Sequence, residues 1–194
     1  MVIALKSLQF KKAQEYKKGD VLIPHELIQK RIKEIASEIA PKYKGKKLLM
    51  VGVLKGAFKM TGDLALELHV QGLTDLEISF ITMKSYFTGT KAEYEPQIVQ
   101  DMDINPGKRH VLLLDDILDT GKSLQFVYKL IKDKGAVSVE SFVLLDKPAR
   151  RIVDYKADYV GFTIPNVWVQ GYGIDTGEIG RAGPNIIVGP YKYK

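Results

Sequence analysis

The 194-residue chain contains no cysteine. Disulfide frameworks, thiolate metal sites and thiol nucleophiles are therefore excluded, and nothing in the chain requires an oxidising compartment. Long hydrophobic runs are also missing, because the longest, such as residues 48–54, fall far short of the ~20 residues that cross a bilayer as a helix. Residues 2–5 are too short for the apolar region of a secretory signal. We expect a cytoplasmic protein with no membrane segment.

The composition is that of a packed protein with a basic surface. Apolar residues make up 45% and charged residues 27% of the chain, and the length favours a single domain over residues 1–194. The net charge of +6 suits a protein that handles polyanions, whether phosphorylated metabolites or nucleic acid. Residues 1–18 are rich in lysine with little apolar patterning, which predicts a solvated basic arm.

Helix-like and strand-like segments alternate along the chain. Helical spacing predicts helices over residues 24–43, 57–68 and 123–134. Short apolar runs predict strands over residues 48–54, 76–83, 111–114, 137–145, 159–164 and 186–188. This alternation indicates an α/β fold, a mostly parallel twisted sheet flanked by helices, with a small hood lobe from the chain ends that includes residues 165–194. Residues 84–108 are polar and aperiodic, which predicts a long surface loop that could act as a mobile lid.

The most informative segment covers residues 111–124. Four apolar residues end in Asp115 and Asp116, and a Thr-Gly-Lys-Ser run then opens a predicted helix. In a parallel sheet these carboxylates stand at a strand's carboxyl end, beside a turn and helix N-terminus that suit a phosphate. Carboxylates next to a phosphate repel it unless sugar hydroxyls or a divalent cation lie between them. A ribose 5-phosphate bound with Mg²⁺ would supply the phosphate, the sugar hydroxyls and the divalent cation together.

Three other interpretations of this segment are weaker. A nucleotide-binding P-loop requires glycine where this chain has Asp116. A receiver-type acidic pocket leaves the phosphate turn without a purpose. Helix capping accounts for Asp119 or Ser123, but not for the adjacent pair Asp115 and Asp116.

The segment resembles the phosphoribosyl-pyrophosphate signature of type I phosphoribosyltransferases. Further segments are similar to the hypoxanthine-guanine branch of that family and occur in its order, so that the resemblance covers roughly residues 19–190. They are residues 53–56 (VLKG), 84–86 (KSY), 145–148 (LDKP), 161–165 (GFTIP), 168–169 (WV) and 171–172 (GY).

The resemblance implies a site for the ribose phosphate. Asp115 and Asp116 hold the ribose hydroxyls, directly or through Mg²⁺, and Asp119 lies near N7 of the purine as general acid/base. Sequence alone does not separate that role of Asp119 from helix capping. The turn that binds the 5-phosphate comprises Asp119, Thr120, Gly121, Lys122 and Ser123.

The resemblance also implies sites for the pyrophosphate and the lid. Lys55 and Gly56 form the pyrophosphate loop, in which a cis peptide precedes the lysine. Arg181 reaches the pyrophosphate as well. Ser85 and Tyr86 begin the lid, which closes to exclude water.

For the base, the resemblance implies four contacts. Lys147 donates to the exocyclic O6, which favours 6-oxopurines over 6-aminopurines. Trp168 stacks on the base, Val169 contributes backbone contacts, and Asp175 adds a further contact to Mg²⁺, which makes Asp115, Asp116 and Asp175 the candidate metal ligands. Taken singly, a lysine is usually solvated and a lone tryptophan is usually core.

The implied reaction is Mg²⁺-dependent transfer of the 5-phosphoribosyl group from phosphoribosyl pyrophosphate to N9 of hypoxanthine, guanine or xanthine. The products are a nucleoside monophosphate and pyrophosphate, as in purine salvage. Lys55, Ser85, Tyr86, Asp119 and Arg181 are the expected catalytic residues. Family members are commonly oligomeric, so we expect a homodimer or homotetramer.

The chain departs from the family pattern at two places, and two rival functions remain as alternatives. Ala57 stands where the family usually has a second glycine, and residues 176–180 differ from its usual run, which leaves the base preference undecided. A nucleic-acid-binding regulator with the same fold is favoured by the basic arm but lacks a basic stripe interleaved with aromatics, so no nucleic-acid partner is expected. An adenine enzyme is disfavoured by Lys147.

Overall fold

The computed structural model of the protein describes residues 10–87 and 94–189. Its strands are β1 (Val21–Ile23), β2 (Leu48–Leu54), β3 (Leu76–Phe87), β4 (Tyr94–Gln100), β5 (His110–Leu118), β6 (Ser138–Asp146), β7 (Tyr159–Thr163), β8 (Val169–Gln170) and β9 (Ile186–Val188). Its helices are α1 (His25–Tyr43), α2 (Phe58–Val70) and α3 (Lys122–Asp133). None of the described helices is long and apolar enough to cross a membrane.

The main sheet has six strands in the order β4-β3-β2-β5-β6-β7. All neighbouring pairs are parallel except β3 and β4 at one edge, which are antiparallel. The chain order reverses around β2 and β5, so these strands lie at the centre of the sheet with their carboxyl ends side by side. Ligands of such sheets bind at this point. The predicted α/β fold with a mostly parallel sheet is confirmed.

The central strand β2 is apolar on both faces because helices cover both sides of the sheet. Leu48 and Met50 belong to a core that also contains the buried faces of α1 and α2. Leu49 and Val51 point the other way, into a second core with Leu124 and other residues of α3. Strands buried on both faces appear in sequence as continuous apolar runs, which is why residues 48–54 were predictable.

The prediction of a surface loop over residues 84–108 is wrong for residues 84–87 and 94–100, which form strands. Strand β3 continues to Phe87, and β4 returns along it with Lys84 opposite Gln97. Most of β4 from Glu95 onward is exposed, so neither face carries the apolar alternation that marks a strand in sequence. Backbone pairing at the sheet edge forms it instead. Residues 88–93 lie outside the described residues, and the lid remains a prediction.

A second, three-stranded antiparallel sheet pairs β1, near the start of the described chain, with β9 and β8, near its end. This arrangement agrees with the predicted hood lobe from the chain ends. The strand order is β1-β9-β8, and the backbone N–H of Gly19 donates to the carbonyl of Val188 at 2.8 Å. The prediction of a solvated arm over residues 1–18 is partly right for its described part, because its lysines are exposed while Phe10, Ala13 and Tyr16 pack against the core. These apolar residues recur every third position around a single 3-10 turn (Ala13–Glu15), a run too short to predict a helix in a lysine-rich background. Residues 1–9 lie outside the described residues.

Candidate active site

The turn between β5 and α3 forms the floor of the candidate site. Asp115 and Asp116 lie within β5, which continues to Leu118 rather than ending before them as expected. Gly121 then adopts a left-handed φ of 89°, and α3 begins at the next residue. A Cβ atom on Gly121 would lie 2.7 Å from a methyl of Val153, so this position requires glycine for both its conformation and its contacts. The N-terminus of α3 therefore sits beside the two carboxylates.

Asp115 is buried, and Asp116 lies half-buried beside it. Burial, followed by the charge of Asp116, raises the pKa of Asp115 well above its usual value. Burial is also the largest cause that raises the pKa of Asp116, although the Arg181 guanidinium acts in the opposite direction. Two neighbouring carboxylates in a desolvated position favour a bound cation or hydroxyl donors, because either one relieves their repulsion. Mg²⁺ and the ribose hydroxyls, both predicted from the sequence, meet this requirement.

The loop after β2 packs directly against this pair. A Cβ atom on Gly56 would lie 1.9 Å from Oδ2 of Asp116, so no other side chain fits there without displacing the carboxylate. A Cβ atom on Gly173 of the hood would lie 2.1 Å from the carbonyl oxygen of Gly56. The peptide bond between Leu54 and Lys55 is cis, as the resemblance implied. The end of β5, the loop after β2 and the hood are distant in sequence but pack against one another here, at Asp116, Gly56 and Gly173.

The departure at Ala57 has a structural explanation. Ala57 is fully buried in the core beneath α2, and its backbone N–H donates to the carbonyl of Val53 at 3.1 Å. Its carbonyl accepts from the backbone and the hydroxyl of Thr61 at 2.9 and 2.8 Å. The methyl group points into the core, so it helps to anchor the start of α2 and does not narrow the loop at Gly56.

A cleft of about 240 Å³ opens above these residues. It brings together seven of the candidate site residues with one edge of the β3–β4 hairpin. Its lining consists of Val53, Leu54, Gly56, Met83, Lys84, Asp115, Asp116, Ile117, Leu118, Asp119, Thr120, Gly121, Ser123 and Leu124. Lys122 points elsewhere, because its Nζ lies 2.9 Å from a carboxylate oxygen of Glu95 in β4. Other candidates in the described part of the chain are not among its lining residues: Lys55, Lys147, Trp168, Val169, Asp175 and Arg181.

Asp119 lies at the rim of the cleft among three cations. Its Oδ1 is 3.1 Å from Nε of Arg150, and its backbone carbonyl accepts from Nε of Arg151 at 3.0 Å. Lys147 is buried, and burial lowers its pKa while the charge of Asp119 acts to raise it. The two arginines follow the predicted residues 145–148 after a single alanine, yet sequence reasoning missed them. A tandem basic pair after a recognised motif was the available signal.

The hood carries a partly exposed aromatic side chain. Trp168 is 38% exposed, and its Nε1 donates to Oγ1 of Thr176 at 2.8 Å. A Cβ atom on Gly189 would lie 2.7 Å from the indole ring, so the neighbouring chain approaches the tryptophan closely. Val169 is buried in β8 opposite Val188 of β9. The indole is thus not a core residue, unlike most lone tryptophans.

A group of alternating charges links the hood to the loop after β2. Nη2 of Arg181 lies 2.8 Å from Oδ1 of Asp175 and 3.3 Å from Oε2 of Glu178. The same Glu178 oxygen lies 2.9 Å from Nζ of Lys55. Glu178 was not predicted from the sequence, since a single glutamate in a glycine-rich loop carries no pattern. Lys55 and Arg181, expected at one pyrophosphate, are joined through it.

Not every predicted grouping forms. Among the described residues, no three His, Cys, Asp or Glu side chains gather as a metal-binding cluster, so Asp175 does not join Asp115 and Asp116. It pairs with Arg181 and accepts from the backbone N–H of Glu178 at 2.7 Å instead. Ser85 and Tyr86 lie in the paired part of β3, opposite Pro96 and Glu95, and their proposed roles stay predictions.

The fold and this geometry define an α/β protein that can hold a phosphorylated, hydroxyl-bearing ligand at the carboxyl ends of β2 and β5. Residues 20–176 match the family described as the phosphoribosyl transferase domain. The chain is 38% identical over 175 residues to the hypoxanthine-guanine phosphoribosyltransferase of Bacillus subtilis, a match that covers 90% of this chain and 95% of that protein. The chain belongs to the phosphoribosyl transferase domain family, and the resemblance noted in its motifs is confirmed.

Other similar proteins agree with this placement. Over 166 residues, the chain is 42% identical to the bifunctional protein TilS/HprT of Listeria monocytogenes. It spans only a quarter of the length of that relative, with 25% of the protein covered against 86% of the chain. A solved hypoxanthine phosphoribosyltransferase structure from Staphylococcus aureus has a TM-score of 0.83 at 34% identity, and covers 95% of this chain and 100% of its own.

Proposed function

We propose that this protein transfers the 5-phosphoribosyl group of phosphoribosyl pyrophosphate to N9 of a 6-oxopurine and releases pyrophosphate. The observation that carries this proposal is the pair of buried Asp115 and half-buried Asp116 beside the glycine turn and the N-terminus of α3. A ribose 5-phosphate presents hydroxyls to the carboxylates and a dianion to the helix terminus. The names of the similar proteins support hypoxanthine and guanine as the bases.

The proposed cofactor is Mg²⁺. Asp115 and Asp116 offer the hard oxygen ligands that Mg²⁺ takes, and two neighbouring, partly desolvated carboxylates favour a positive charge between them. When bound, the ion neutralises charge on the ribose pyrophosphate and its leaving group. Asp175 is available only after its ion pair with Arg181 loosens, so we assign it at most an outer contact with the ion.

At the base, three side chains have complementary tasks. Asp119 holds or accepts the proton at N7, and its 3.1 Å ion pair with Arg150 limits where the carboxylate can point. Lys147 donates to O6, where a desolvated ammonium makes a strong hydrogen bond. Trp168 covers one face of the purine. This combination favours a 6-oxo group over a 6-amino group, because the ammonium can only donate.

At the leaving group, Lys55 and Arg181 bind the pyrophosphate from opposite sides. The β3–β4 hairpin borders the cleft through Met83 and Lys84, and we propose that it excludes water during the reaction, with Ser85 and Tyr86 as the closing residues. Enclosure matters because water competes with the purine for the activated ribose carbon.

The proposal is tested by incubating the purified protein with phosphoribosyl pyrophosphate, Mg²⁺ and hypoxanthine, guanine, xanthine or adenine separately. We expect nucleoside monophosphate from the 6-oxopurines, none from adenine, and none after chelation of the metal. A folded protein that converts no base would contradict the proposal, and salt-sensitive binding to RNA or DNA by the same sample would favour the regulator.

Two further properties belong to the proposal. We propose that the protein works in the cytoplasm, which the absence of cysteine supports. We also propose a homodimer or homotetramer, because oligomers are common among similar enzymes. Light scattering after size exclusion measures the assembly directly, and a monomer at micromolar concentration would contradict it.

A further inference from the structure

Glu178 occupies the position between the two cations that are proposed to bind pyrophosphate. Lys55 and Glu178 are 123 residues apart in the chain, yet Nζ and Oε2 lie 2.9 Å from each other. The same oxygen accepts from Nη2 of Arg181 at 3.3 Å. One carboxylate therefore bridges the β2 loop and the hood.

The local backbone holds Glu178 in this place. It has a left-handed φ of 69°, which a residue with a side chain rarely adopts. Its backbone N–H donates to Oδ2 of Asp175 at 2.7 Å, and Asp175 in turn pairs with Arg181. The turn thus aims a carboxylate at the two cations, where a solvated loop would leave glutamate free to point outward.

The bridge is easily exchanged. The side chains of Lys55 and Glu178 are 62% and 66% exposed, and ion pairs of such exposure contribute little free energy. Pyrophosphate carries several negative charges and more acceptor oxygens than one carboxylate. Pyrophosphate can therefore displace Glu178 from both cations, but breaking these two ion pairs reduces its net binding free energy.

We infer that Glu178 is an internal competitor for pyrophosphate, a positioning residue that holds Lys55 and Arg181 in place when the site is empty and weakens the binding of the leaving group. This inference rests on the proposed function, in which Lys55 and Arg181 bind pyrophosphate. Its consequence is that Glu178 favours pyrophosphate release by pairing again with the cations as the product departs. The carboxylate makes and breaks no covalent bond.

The test compares Glu178→Gln with Glu38→Gln in the otherwise intact chain. Both changes remove one negative charge and keep the side-chain shape, but Glu38 lies on α1 with its nearest cation, Arg31, 3.9 Å away. Pyrophosphate binding is measured by calorimetry with and without Mg²⁺, and product inhibition by pyrophosphate is measured in the transfer reaction. We expect Glu178→Gln to bind pyrophosphate about 3- to 10-fold more tightly and Glu38→Gln to match the parent protein.

A second variant separates competition from general electrostatics. Glu178→Gln is therefore repeated in the Lys55→Met background, which lacks one of the two cations that Glu178 pairs with. The double variant should exceed Lys55→Met in pyrophosphate affinity by a smaller factor than Glu178→Gln exceeds the parent protein. Unchanged or weaker pyrophosphate binding by Glu178→Gln, or an equal gain in Glu38→Gln, would overturn the inference. Failure of the proposed function differs from both, because the parent protein would then neither bind pyrophosphate nor form a nucleoside monophosphate.

Discussion

The β5–α3 segment, through Asp116, and the hood loop over residues 171–183, through Gly173, both pack against Gly56 but are built by different means. Asp115, buried, and Asp116, half-buried, lie in the last part of β5, which stays paired with β6, and Gly121 fixes the backbone of the turn that follows. In the hood loop, ion pairs and positive-φ glycines hold an otherwise irregular chain. Under the proposed function, the ribose phosphate would be held by a rigid backbone, whereas the pyrophosphate and base contacts would depend on side chains that can exchange partners.

The largest expected effect lies in the rigid turn. Asp119→Asn keeps the size of the side chain but removes the proton acceptor near N7, so we expect turnover to fall by about 10²- to 10⁴-fold. Binding of phosphoribosyl pyrophosphate should change little, because the carboxylate pair and the glycine turn remain. Steady-state rates with hypoxanthine and calorimetry with the sugar substrate measure the two effects. A turnover within tenfold of the parent protein would show that Asp119 has only a capping or structural role.

Gly56→Ala tests the point where the two regions meet. The added methyl group would collide with Asp116, so we expect loss of activity and a decrease of about 1–3 kcal/mol in the free energy of unfolding. Gly62→Ala is the matched control, because a Cβ atom there meets nothing within 4 Å and alanine favours the helix. Chemical denaturation measures both variants. Equal stability of the two would contradict the close packing of Gly56 on Asp116.

Lys147→Met tests the base contact next to the turn. Loss of the ammonium donor should weaken binding of hypoxanthine by about 10- to 100-fold and reduce the preference against adenine. Competition measurements with both bases provide the readout. An unchanged ratio of the two affinities would remove Lys147 from base recognition.

The same variant has an expected pH dependence. Burial lowers the pKa of Lys147, so the folded protein loses this proton at a lower pH than the unfolded chain. The free energy of unfolding contributed by this group therefore rises with pH between the two pKa values. Lys147→Met should remove that rise from the alkaline limb of the stability profile, measured by denaturation at successive pH values. Parallel profiles for the two proteins would contradict the shift.

The smallest effect is expected in the hood. Thr176→Val deletes the acceptor for the Trp168 N–H and should raise the KM for the base about 2- to 10-fold. Thr176→Ser keeps the hydroxyl, so its KM for the base should match that of the parent protein. The KM for phosphoribosyl pyrophosphate should stay unchanged in both variants. If serine fails to restore the base KM, the hydrogen bond does not position the indole.

The same contrast explains what the sequence could predict. The bounds of β2 and β9 agree with the structure, and Asp115, Asp116 and Gly121 were identified, because buried strands and glycine turns impose local patterns. The β3–β4 hairpin was missed since an exposed edge strand needs no apolar alternation. The arginines on Asp119 and the Glu178 bridge were missed since such ion pairs join segments that are distant in sequence.

The ribose-binding role of the carboxylate pair is the claim on which the rest depends. Calorimetric titration of phosphoribosyl pyrophosphate, with and without Mg²⁺, into the parent protein and the double variant Asp115→Asn/Asp116→Asn tests it most directly. We expect Mg²⁺-dependent binding by the parent protein and loss of the Mg²⁺ dependence in a variant that remains folded. Equal, Mg²⁺-dependent binding by both proteins would contradict the account.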